Sequence, residues 1–162
     1  MSTQATLTAE MESLKKDLIA RYDEKGMRST GAWANSLEVV VKEEPNKITG
    51  QITGLKYSEQ LEYGRSAGKQ PPSAVIEQWI KDKGIASRIE GNISISSLAY
   101  LIARKIGREG WKREEEGGVD LISEVVTAER MQSIINKVGD VYIVNVVSDI
   151  QSIVNNLSND NI

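Results

Sequence analysis

The sequence predicts an α+β fold: a small antiparallel sheet with an N-terminal helix packed on it, followed by several helices including a long C-terminal one. Three observations predict it. An apolar stripe of helical spacing opens the chain. Two stretches of period-two alternation lie between Leu37 and Gly54. Beyond Ile85 the apolar residues keep helical spacing almost without a break.

Met1 to Thr6 reads as a polar lead-in. Leu7, Met11, Leu14, Leu18 and Tyr22 then recur at spacings of four, three, four and four, with Ile19 widening the stripe. Thr8 is the expected N-cap, Glu10 the first-turn acid and Gly26 the stop. Lys15, Lys16, Asp17, Arg21, Asp23, Glu24 and Lys25 form the expected solvated face. Ser29 or Thr30 opens a helical turn through Trp33, whose size suits a core anchor. Leu37, Val39 and Val41 alternate with Glu38, Val40 and Lys42 as one strand. Glu44-Pro45-Asn46-Lys47 is a turn. Ile48, Gly50, Ile52 and Gly54 alternate with polar residues as a second strand, and its glycines suggest a bulge or a close backbone approach. Such a hairpin needs helices on one face, or further strands, to be stable.

The stretch Tyr57 to Ile85 divides the hairpin from the helical remainder. Leu61-Glu62-Tyr63 reads as a helical turn closed by Gly64 in a left-handed conformation. Arg65 to Gln70 is a loop. Pro71-Pro72 primes a helix, because proline costs nothing at the first helical position. Val75, Ile76, Trp79, Ile80 and Lys83 share a stripe, Glu77 and Lys81 form an i,i+4 pair, and Gly84 ends the helix. Ser94, Ser96 or Ser97 caps the next helix, with a stripe of Leu98, Leu101, Ile102, Lys105 and Ile106. Gly110 before Trp111 stops it.

Three segments follow from this reading: an α+β body over 1–111, a charged loop over 112–118 and a C-terminal helical segment over 119–162. In the last, Val119 to Val138 reads as one long helix, with Leu121, Ile122, Val125, Val126, Met131, Ile134, Ile135 and Val138 as its apolar residues. Val141 to Val147 is rich in β-branched residues, which suits a strand. The helical spacing of Val138, Tyr142, Val146, Ile150, Ile153 and Leu157 favours helix instead. Asn155 to Ile162 is polar and expected to fray.

Composition narrows the chemistry. The 162 residues include no Cys and no His. Disulfides, thiolate chemistry and Ser-His-Asp or Cys-His catalysis are excluded, and the commonest zinc ligands are missing. The net charge of −3 gives no bulk attraction to nucleic acid or anionic membrane. No stretch has the roughly 20 apolar residues of a membrane span, and the N-terminal residues do not resemble a signal peptide. Glu59, Glu62, Glu77 and Asp82 are the acids of the central stretch. Of these Glu62 and Asp82 are the candidates for a general acid–base pair, against the plainer expectation of structural roles. Arg104, Lys105, Arg108, Lys112 and Arg113 form a basic cluster able to meet phosphates. Glu109 and Glu114 to Glu116 lie beside it, so a self-paired surface is expected. No phosphate-binding glycine turn, metal-ligand spacing or cofactor motif is present. The apolar residues beyond Val119, including Ile134, Ile135, Ile143, Val144, Val146 and Val147, exceed what a lone terminal helix can hide. They point to packing on a body or on a neighbouring subunit.

Two of these stretches resemble the tail-component and neck proteins of tailed bacteriophages. Tyr57, Leu61-Glu62-Tyr63-Gly64, a short Gly/Lys loop, Pro71-Pro72, and Ile76, Trp79, Ile80, Lys83 and Gly84 resemble that family's turn, proline pair and tryptophan-bearing helix. Leu98-Ala99, Ile102, Arg104, Ile106 and Gly110 are similar to its following helix. The resemblance covers roughly Leu7 to Trp111. Arg65 stands where a small residue is common. Trp111 and an acidic loop replace an aromatic–proline pair, which leaves the C-terminal third free for a different contact.

The resemblance implies a structural virion protein without catalytic site or cofactor. Such a protein would assemble in the host cytoplasm as a hexameric or dodecameric ring at the head–tail junction. Its partners would be the head connector or portal side and tail-tube proteins, with DNA passing through the lumen without specific binding and no membrane involved. The alternative is a non-enzymatic cytoplasmic adaptor or regulator that binds a partner through its C-terminal helix.

Overall fold

A computed structural model of the chain describes residues 2–89, 91–114 and 117–159, with side chains to residue 153. In chain order the elements are α1 (Thr3–Glu24), α2 (Ala32–Ser36), β1 (Glu38–Glu44), β2 (Lys47–Thr53), α3 (Ser58–Tyr63), α4 (Ser73–Asp82), α5 (Ile95–Glu109), α6 (Leu121–Val125) and α7 (Ala128–Asn159). A 3₁₀ turn at Ile85–Arg88 lies between α4 and α5. The fold is mixed α+β, with a two-stranded antiparallel sheet. The chain forms two compact units that alternate along the sequence. Residues 1–18, 37–53 and 124–162 make the first, and 19–36 and 54–123 the second.

The first unit is built on the hairpin. Val39 pairs with Ile52, Val41 with Gly50 and Glu43 with Ile48 in an unbroken register. Residues 39, 41, 48, 50 and 52 therefore share one face of the sheet. That face is covered by helices, which is how a two-stranded sheet persists. Leu7, Met11 and Leu14 of α1 and Ile134 of α7 are buried together. Val39, Val41, Ile48, Ile52, Val126 and Val138 pack against them. Gly50 marks a close approach rather than a bulge: a Cβ there would lie 2.9 Å from Met11 Cγ. Two ion pairs edge this packing, Arg130 to Asp17 at 3.0 Å and Lys137 to Glu10 at 2.8 Å.

The second unit is built on Trp33, which is 1% exposed. Its ring lies 4.7 Å from that of Tyr22, and its Nε1 donates to Ser58 Oγ at 2.8 Å. Burial raises the Tyr22 phenol above its ordinary 10.0, with Tyr57 the next cause. α4 packs on α5. Ile80 on the first, and Ala99 and Ala103 on the second, are fully buried. Small residues at such a contact let two helix backbones come close.

Several expectations are corrected. The first helix begins at Thr3, not after Thr8, because Ser2 Oγ accepts from Ala5 N–H and caps it. Thr8 instead donates its hydroxyl to Gln4 O inside the helix. The stop is at Gly26 as expected. Gly26 N–H donates to Asp23 O and Met27 N–H to Tyr22 O, around a glycine at φ 62°. Pro72 does not sit inside its helix. Its ψ of 129° is extended, so it is the cap and the helix starts at Ser73.

The stripe of α5 is also shifted. Leu101 and Lys105 are exposed, and Ala99 and Ala103 take the buried positions. Val119 to Val138 is not one helix. Thr127 interrupts it, and its Oγ1 accepts from Arg130 N–H to cap α7. The stretch Val141 to Val147 is helix. The fraying expected over Asn155 to Ile162 concerns side chains outside the described ones and, from residue 160, residues outside the described chain.

Candidate functional surface

The stretch from Tyr57 to Ile85 belongs wholly to the second unit. Leu61, Glu62 and Tyr63 end α3, and Gly64 closes it with φ 74° and ψ −159°. This is positive φ with extended ψ, a glycine-only conformation, rather than the left-handed helical one expected. The chain then runs beside residue 111. Arg65 N–H donates to Trp111 O at 2.8 Å, and Trp111 N–H returns the bond to Arg65 O at 2.7 Å. Glycines flank this clasp on both sides. A Cβ on Gly64 would lie 2.5 Å from Trp111 O, and one on Gly110 would lie 2.3 Å from Arg65 O.

Pro71 is buried and Pro72 exposed ahead of α4. Trp79 is half-buried and meets the edge of Trp111 at 6.2 Å between ring centroids. Lys83 Nζ donates to Gly26 O, and Gly84, at φ 65° and ψ 20°, ends the helix. Every residue singled out here by sequence therefore has a place in a turn, a clasp or a helix end. Tyr63, at the end of α3, is also 74% exposed.

The two candidate carboxylates are not brought together. Glu62 is buried. Its carboxylate accepts from Ile122 N–H at 2.6 Å and from Ser123 N–H at 3.2 Å, and its carbonyl accepts from Asp120 N–H. It is thus a remote cap for the first turn of α6, meeting donors that a helix start leaves without partners. Asp82 is exposed and accepts from Gln78 Nε2 one turn back. Glu77 pairs with Lys81 at 2.9 Å, as its spacing predicts. Asp82 and Trp79 border an open, mainly apolar groove of about 430 Å³ with Ser29, Ala74, Val75 and Gln78. One exposed carboxylate beside an apolar groove offers no acid–base pair.

The 112–118 loop is not simply solvated. Arg113 is buried, donates from Nη2 to Lys25 O and stacks over the Trp111 ring at 5.5 Å. Lys25, expected on the wet face, is also buried, and its ammonium donates to Gly117 O and Val119 O. Glu115 and Glu116 lie outside the described residues. Arg104, Lys105, Arg108 and Lys112 are exposed, and none of them makes an ion pair with Glu109 or Glu114 among the described residues. Among the described residues no group of three acids could hold a metal ion, and no helix is long and apolar enough to cross a membrane.

The most unusual surface is on α7. To Val138 one face of the helix is packed, with Ile134 buried and Val138 against the core, while Ile135 is exposed. Beyond Val138, the residues Tyr142, Ile143, Val144, Val146, Val147, Ile150 and Ile153 are each between 37% and 66% exposed. They occupy successive turns, so the apolar area is continuous. A monomer's largest apolar patch is ordinarily about 300–600 Å² and often functional. Sequence reasoning found these residues through their number; the structure adds that they are uncovered. No family model, no curated protein and no solved structure matches the chain.

Proposed function

We propose that this chain is a non-enzymatic structural protein of a tailed-phage virion. It forms a hexameric or dodecameric ring at the head–tail junction that joins the tail to the head connector, as a neck, tail-completion or terminator component. DNA passes through the lumen without specific binding. The observation that carries the reading is the uncovered apolar half of α7, which is the surface an assembling subunit needs before it meets its neighbours. The resemblance of Leu61 to Gly64, Pro71-Pro72, Trp79 and Lys83-Gly84 to phage neck and tail proteins supplies the place of assembly. The scaffolding roles of Glu62, Gly64 and Lys83 agree with a protein that works by shape.

The test is to locate the protein in purified virions by immuno-electron microscopy and to measure the mass of the assembled species. Labelling at the head–tail junction with a ring-sized mass is the expected result. Absence from virions overturns the reading.

The same surface also favours a second reading, an adaptor that holds one partner through α7. The discriminating truncation falls after Gly139, because Ile134 and Val138 belong to the core of the first unit. An adaptor so shortened stays folded and loses a partner of different sequence. A ring protein stays folded and loses its own copies.

A further inference from the structure

We propose that residues 139–153 of α7 form a homotypic seam, occupied by the same segment of other copies of this chain in a bundle of three or more. The proposal rests on the ring reading for its biological setting and deepens it by naming the contact.

The first support is spacing. Ile143, Val146, Ile150 and Ile153 follow one another at three, four and three residues. That is the a/d repeat of a helix that packs against helices, and Tyr142, Val144 and Val147 beside it are exposed as well. All four seam residues are at least 37% exposed, so the seam is formed and bare. The segment spans roughly 22 Å of helix at 1.5 Å per residue, enough for about two heptads.

The second support is charge. Between Gly139 and Ile153 the only charged residues are Asp140 and Asp149, and there is no Lys or Arg. Partner choice between different helices is written in the charges flanking the seam. Here those flanks carry Tyr142 and Val147, with Asp149 the sole charge beside the central turns. A surface with so little charge code matches best a surface of the same kind, which its own copies supply. A lipid surface fits poorly, since helices that bind membranes carry basic residues on the polar face.

The third support is the choice of core residues. Isoleucine at both a and d shifts coiled coils from dimers towards trimers and tetramers; here Ile143, Ile150 and Ile153 fill three of the four seam positions and Val146 the fourth. Val147 and Tyr142 widen the apolar face on either side, and a wide face is covered only by more than one neighbour.

The full chain lacks cysteine, so single cysteines report contacts cleanly. Ile150→Cys lies in the seam, and Ser148→Cys lies on the opposite face of the same turns. With a short bismaleimide, the expected result is a ladder of cross-linked copies reaching at least trimer from Ile150→Cys and at least tenfold less product from Ser148→Cys. In sedimentation velocity the wild-type chain runs at the mass of three or more copies, and Ile150→Asp runs as a monomer with unchanged helical circular dichroism. Equal cross-linking at both positions, or a wild-type chain that stays monomeric at the highest soluble concentration, overturns the seam. If the seam fails while the protein is still found in virion rings, the ring reading stands on another surface. If the seam holds and the protein is absent from virions, the seam stands and the ring reading falls.

Discussion

The two halves of α7 have similar apolar content and opposite surroundings. From Ala128 to Val138 the helix is held: Ile134 is buried with Leu7, Met11 and Leu14, and Arg130 and Lys137 reach acids on α1. From Gly139 to Ile153, among the described residues, Ile143, Val144, Val146, Val147, Ile150 and Ile153 face solvent, and of the isoleucines and valines only Val141 is half-buried. The first half has charged residues at its margins that pair with α1. The second has almost none. A single continuous helix thus has one half in the core of its own chain and one half whose apolar side chains stay exposed. Apolar residues alone do not reveal a core; what covers them does.

The contrast can be broken most strongly at Ile134. Ile134→Ala should lower unfolding free energy by about 2–5 kcal/mol, through lost burial and the cavity left behind; urea denaturation monitored by circular dichroism measures it. A cost below that of a surface substitution would show that the first half is not the anchored one. Next in size is Thr127→Ala, which removes the cap of α7. About 1 kcal/mol should be lost, with faster hydrogen exchange confined to the first turn of the packed half.

Ile150→Ala should change monomer stability by less than about 0.5 kcal/mol, the range for surface substitutions. In dilute solution its urea midpoint should match wild type while its association is weakened. A large drop in the dilute midpoint would mean that the second half is covered after all.

The smallest effect lies outside α7 and serves as a reference for exposed charges. The Arg28 guanidinium, hydrogen-bonded to Asp23, holds that carboxyl below its ordinary 3.8. A depressed carboxylate contributes stability that is present above its unfolded pKa and lost as pH falls through the folded one. Asp23→Asn should therefore flatten the fall in urea midpoint below pH 3.8 slightly and leave neutral stability nearly unchanged.

Local pattern made much of this fold legible. The hairpin is written in the alternation of Val39, Val41, Ile48 and Ile52 around Pro45-Asn46. Trp33 is the core anchor its size implies, and Gly26, Gly84 and Gly110 end helices where expected. What stayed hidden depends on partners far along the chain. Glu62 looked like a candidate acid because Ile122 and Ser123, whose N–H groups it caps, lie sixty residues away. Lys25 looked solvated because its carbonyl partners lie beyond residue 116. Ala99 and Ala103 add little to the apolar stripe because alanine gives a weak hydrophobic signal, although at a close helix contact it is the residue that fits. Thr127 was masked by Val125 and Val126, which carry the apolar period across the break. For the candidate surface, sequence supplied the residues of α7 but not their exposure, since spacing tells which side chains share a face and not what lies over it.

The clasp between Arg65 and Trp111 has a topological consequence. Two backbone hydrogen bonds tie positions 46 residues apart, so α4, the 3₁₀ turn and α5 lie within a closed loop made without any covalent bridge. The exposed stretch at Gly91 and Asn92 is the loop's far side. A protease cutting there would open the chain but not the ring of contacts, because the clasp and the α4–α5 packing join the pieces on either side. The two fragments should co-elute in native buffer and separate only in denaturant. A nicked chain would then keep its fold.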